Sequence, residues 1–165
     1  MRSNQGSGVH RIVTTVPLTG SGGLGDAHIK PRTSPSVAAS GAHWEIDWQD
    51  ANGHLVRATD GDRPNSAENA ETLVGSPRVA ALSTGVFIHV DAQFGDLFVN
   101  GAGVGQAVDQ GNSPAIAADG SGGWRIVFVG QDLHLHYLDS SNHTRTYSTV
   151  FAAGDASPSI VGMFD

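Results

Sequence analysis

Four Ser-Pro pairs, at Ser34-Pro35, Ser76-Pro77, Ser113-Pro114 and Ser157-Pro158, divide the chain at intervals of 42, 37 and 44 residues. Two places after each proline stands a β-branched residue: Val37, Val79, Ile116 and Ile160. Behind the first three pairs, bulky residues then alternate strictly: Trp44, Ile46 and Trp48; Val86, Ile88 and Val90; Trp124, Ile126 and Phe128. Alternation of period two predicts a strand that buries one face. A turn follows each time, at Asn52-Gly53, Phe94-Gly95 and Gly130-Gln131-Asp132. A second short apolar run comes next, in which Leu55, Leu97 and Leu135 each fall seven residues after Trp48, Val90 and Phe128.

A period near 40 residues with several short strands and glycine-rich turns is the pattern of a β-propeller blade. Helical repeats of that length are excluded, because the alternation has the wrong period and the 22 glycines would break long helices. The fold expected is therefore all-β, built from four-stranded blades of about 41 residues. The first strand follows Ser-Pro, the second alternates, the third surrounds the leucine, and a weaker fourth lies near residues 70–74, 103–108 and 145–152. Between third and fourth strands of the first unit, "ATDGDRPNSAEN" reads as a loop that turns at Pro64-Asn65. Residues 1–8 are expected to be a tail and residues 9–165 a single domain. If the terminal "SIVGMFD" adds a strand to a blade begun by residues 9–33, the chain makes four blades with its edges hidden. The alternative is a part of a larger ring, cut from a longer parent or completed by a second copy in a homo-oligomer.

A net charge of -7 with 9 Lys plus Arg argues against nucleic acid, which is held by clustered basic side chains. With no cysteine, the chain has neither disulfides nor thiolate chemistry. No stretch approaches the roughly 18 apolar residues of a membrane span, and the N-terminal residues lack the apolar core of a signal peptide.

The combination of "SPSVAA", "WEIDWQDANGHLV" and "GAGVGQAVDQGNSPAIAA" resembles the tandem repeats of bacterial lectin-like β-propellers, related in architecture to the tachylectin and Psathyrella velutina lectin groups. The resemblance covers about residues 16 to 160. It departs from the family where tryptophan usually follows the leucine, since Val56, Phe98 and His136 stand there. The family's Phe-Gln step survives only as Trp48-Gln49, against Val90-Asp91 and Phe128-Val129. The resemblance implies non-catalytic recognition of glycans or glycoconjugates in shallow pockets between blades, without a cofactor, and an extracellular setting; the alternatives are a structural or protein-interaction scaffold whose repeats bind no sugar, and an accessory fragment of a larger secreted enzyme.

Side chains near the second turn are the expected ligand-binding set, because amides, carboxylates and imidazoles pair with sugar hydroxyls as donors and acceptors. They are Gln49, Asp50, Asn52 and His54 in the first unit, Asp91 and Asp96 in the second, and Gln131, Asp132 and His134 in the third. Trp124 would add a flat face for stacking, although Trp44, Trp48 and Trp124 all sit at the buried parity of their strands. Asp132, His134 and His136 alternate on one strand, but the spacing supplies no fourth zinc ligand and no metal is expected. No enzyme is expected either. The aspartates recur at turn positions, where they bond local backbone, and no G-x-S-x-G elbow occurs. The serine of each Ser-Pro is expected to bond nearby backbone while the proline sets the chain's entry into the strand.

Overall fold

The computed structural model describes residues 29–60, 65–66, 72–151 and 157–162. The expected tail and most of the N-terminal segment lie outside these residues. What is described is all-β, in three four-stranded antiparallel sheets whose strands follow chain order. The first comprises β1 (Ser36–Ser40), β2 (His43–Gln49), β3 (Leu55–Thr59) and β4 (Asn65–Ser66). The second comprises β5 (Arg78–Ala81), β6 (Phe87–Gln93), β7 (Asp96–Val99) and β8 (Ala102–Ala107). The third comprises β9 (Ala115–Ala118), β10 (Trp124–Val129), β11 (His134–Asp139) and β12 (Thr144–Phe151).

The first strand of each sheet follows a Ser-Pro, as the sequence predicts. In the first sheet, however, the fourth strand is Asn65–Ser66, inside the expected loop, and pairs with Val56 and Arg57. The expected position near 70–74 has another task where it is described. Leu73 N–H donates to Gly53 O at 2.8 Å and Val74 N–H to Ala92 O at 2.8 Å, so the chain ties the turn it leaves to the sheet it enters. Val108 and Asp109 do the same, bonding Gly95 O at 2.7 Å and Val129 O at 2.9 Å. Leu73 and Val108 are buried, which anchors both crossings. The terminal residues 157–162 form no strand; they pack beside β9, with Gly162 against Ala118.

The serines do not bond local backbone. Ser34 N–H donates to Ser76 Oγ at 2.9 Å, Ser76 N–H to Ser113 Oγ at 2.8 Å, and Ser113 N–H to Ser157 Oγ at 2.9 Å. Ser76, Ser113 and Ser157 thus each cap the amide that opens the preceding sheet, and this ladder runs beside the adjacent first strands β1, β5 and β9. Ser113→Ala would leave the buried Ser76 N–H without its acceptor. Equilibrium urea unfolding should show a loss of about 1–3 kcal/mol, the usual cost of stranding a buried donor. An unchanged midpoint would mean that the ladder carries no stability.

Strand β6 is out of step with the sequence alignment. Trp48 pairs with Val56 and Phe128 with His136, but the residue opposite Phe98 is Asp91, not Val90. The Phe94-Gly95 turn is a residue shorter than its counterparts, and a one-residue slip sends every side chain to the other face. Ile88, Val90 and Ala92 therefore face the third sheet, where they meet Ile126, Phe128 and Leu138 in the main core. His89, Asp91 and Gln93 face the first sheet. Trp44, Ile46 and Trp48 belong to a separate cluster with Val56 and Ala58, on the opposite face of the first sheet.

Candidate functional site

The turns after the alternating strands gather most of the sequence-predicted residues. At the first, the N–H groups of Asn52 and His54 bond Asp50 Oδ1 at 2.9 and 2.8 Å. Burial would raise the Asp50 carboxyl, but these bonds from His54 and Asn52 hold it below its ordinary value. At the third, Asp132 Oδ1 accepts from His136 Nε2 at 2.8 Å and from His134 N–H at 3.1 Å. The His136 bond is the larger reason that the Asp132 carboxyl is also held low. Both aspartates are turn builders; Asp50 Oδ2 also lies 3.4 Å from His54 Nδ1, whereas Oδ2 of Asp132 is left on an exposed rim. Asn52, Asp96 and Gln131 are exposed as well.

Gln49, Asp91 and Trp124 are not on this rim. Gln49 is fully buried, and its Nε2 donates to Leu73 O at 2.7 Å and Gly53 O at 3.0 Å, bracing the first crossing. Asp91 is buried and accepts from Gln93 Nε2 at 2.9 Å. Trp124 packs against the main core. Alternation alone marks two faces but not what covers each of them, which is why these residues were assigned to a ligand.

A residue not assigned to a ligand from the sequence takes the aromatic place. Phe94 is 67% exposed and has φ +52°, followed by Gly95 at φ +87°. Two positive φ values in a two-residue hairpin make a type I′ turn, where Asn-Gly is the favoured pair. A bulky aromatic held left-handed at the tip is strained, and such outliers cluster at ligand-binding sites. A side chain at Gly95 would come within 3.0 Å of Gln131 Nε2 and 3.6 Å of Gln110 Nε2. Two exposed amides, one from the crossing segment and one from the next turn, thus approach the turn at Gly95, next to Phe94 in the chain, and Gln131 Nε2 donates to Gly95 O at 3.5 Å. The only sequence signal for Phe94 was its place where Asn normally stands.

Behind the rim lies a layer that the β6 shift creates. Glu45, Asp47 and Gln49 of β2 and His89, Asp91 and Gln93 of β6 are all buried. His89 Nδ1 lies 2.7 Å from Glu45 Oε1 and 2.9 Å from Asp47 Oδ2. Arg57 Nε stands 3.4 Å from Glu45 Oε1 and 3.5 Å from Asp47 Oδ1. Burial opposes charging His89, but its bonds to Asp47 and Glu45 outweigh that and lift its pKa to about 9. Burial also raises Asp91 to about 6. Glu45, Asp47 and His89 offer atoms within 4.8 Å of one another, a donor set that metals accept by residue type. Arg57 and His89 both stand against the two carboxylates, and the group forms an ion-pair network that joins two sheets.

No protein-family model matches this sequence, and no curated protein matches it.

Proposed function

We propose that the three sheets are blades of a β-propeller whose function is non-catalytic carbohydrate binding. Three successive meanders, adjacent first strands and the serine ladder support the propeller, with the ring completed by further residues of this chain or by a second copy. The observation that carries the binding reading is the rim between the second and third sheets. Phe94 offers an aromatic face for the apolar side of a sugar ring, and the amides of Gln110 and Gln131 donate to its hydroxyls. Asp132 Oδ2 and Asp96 are the neighbouring acceptors. Sites of this kind are shallow and individually weak, and they gain strength when several engage one branched glycan. A catalytic role is not proposed, because the turn aspartates are engaged by backbone N–H groups rather than paired across a cleft.

Glycan-array binding by the purified chain, with free-sugar competition, tests this reading. Selective, competable binding is expected, weakened about tenfold in Phe94→Ala, which corresponds to roughly 1.4 kcal/mol. A flat array from a folded sample would replace the lectin reading with a protein-interaction scaffold. Binding that ignores Phe94→Ala and Gln131→Ala would move the site elsewhere.

A further inference from the structure

A second site, built from none of the rim residues, lies where the first strands meet the C-terminal segment. It is a cavity of about 310 Å³ whose walls include Ser36, Arg78, Ile116, Ser157, Ser159 and Ile160. That volume is at the lower end of the roughly 300–1,000 Å³ typical of small-molecule pockets.

The side chains give the cavity one polarity. Ser36 Oγ accepts from Val79 N–H at 3.1 Å and Ser157 Oγ from Ser113 N–H at 2.9 Å. With their oxygens engaged by backbone, both hydroxyls keep a proton to donate. Arg78 adds a half-buried guanidinium, and no carboxylate or hydrogen-bond acceptor meets it among the described residues. Burial pulls its pKa below the ordinary arginine value. A guanidinium withdrawn from water without a counter-charge is unfavourable, and its planar fork matches the two oxygens of a carboxylate or phosphate. Among the described residues no Asp or Glu lines the space, whereas Ile116 and Ile160 supply an apolar wall.

We infer that this cavity binds a small organic carboxylate, with Arg78 and the serine hydroxyls on the carboxylate and the isoleucines against its hydrocarbon part. The apolar wall favours an organic acid over an inorganic anion.

Heteronuclear NMR titration of the full chain with isobutyrate, acetate and inorganic phosphate tests this inference independently of the glycan reading. Saturable shifts at Arg78, Ile116 and Ile160 are expected, with isobutyrate tighter than acetate and phosphate weakest. Arg78→Gln should weaken isobutyrate at least tenfold. Should that variant fail to fold, Ser159→Asp, on an exposed position, should block the site by placing a like charge at its mouth. Three results would overturn the inference: no saturable isobutyrate shifts in the folded chain, unaltered affinity in a folded variant, or phosphate binding as tightly as isobutyrate.

Discussion

His89→Ala is expected to destabilise the protein by about 3–5 kcal/mol in equilibrium unfolding, the usual cost of removing one partner from a buried ion pair. The imidazole is the closest cation to two buried carboxylates, at 2.7 and 2.9 Å, and Asp47 is 0% exposed. Without it, the cation left to Glu45 and Asp47 among the described residues is the more distant Arg57, its Nε at 3.4 and 3.5 Å. The same contacts fix a pH dependence. A histidine raised from 6.5 to about 9 contributes stability that is complete below 6.5 and is lost as pH rises through about 9. Asp91, raised from 3.8 to about 6, binds its proton more tightly when folded, so its contribution is lost as pH rises through about 6. Urea midpoints should therefore fall in both windows, and His89→Ala should flatten the upper one. A midpoint that holds steady or rises between 6.5 and about 9 would show that His89 is not held protonated.

Phe128→Ala should cost a comparable amount, about 3–5 kcal/mol, because a large ring leaves a core that cannot close over the gap. Phe128 is 1% exposed in the cluster joining the second and third sheets, and it stacks on His136 with centroids 5.2 Å apart and planes 18° from parallel. Truncation thus removes both the packing across sheets and the support of the neighbouring imidazole. Val37→Ala, at a residue 67% exposed, is the control and should stay within about 0.5 kcal/mol. Guanidinium denaturation that gives equal midpoints for the two variants would place the main core elsewhere.

The alternation at Trp44–Trp48 and Trp124–Phe128 made β2 and β10 legible, because period two depends only on local pleating. Val86–Val90 misled, since Val86 lies outside β6 and is exposed. Whether a turn holds two residues or three is set by backbone conformation at Phe94 and Gly95, and that choice decides which face every β6 side chain takes. The polar layer was illegible for the same reason: Glu45 and His89 become partners only when two sheets stack with that register. Fourth strands depend on pairing rather than pattern, so Asn65–Ser66 read as part of a loop that turns at Pro64-Asn65. Of the ligand set, exposed turn positions such as Asn52, Asp96, Gln131 and Asp132 were legible as polar punctuation between strands. Gln49 and Asp91 were not separable from them, because burial of a polar strand residue is decided by the sheet opposite.

The serine ladder has a consequence for the order of synthesis. Each sheet's opening amide waits for a hydroxyl that lies 42, 37 or 44 residues further along. A nascent sheet leaving the ribosome is therefore incomplete at its entry until the next Ser-Pro has emerged. Each closure spans a loop of similar length, so its entropic cost does not grow as the chain lengthens. Assembly then advances as a travelling front, one sheet behind the growing end.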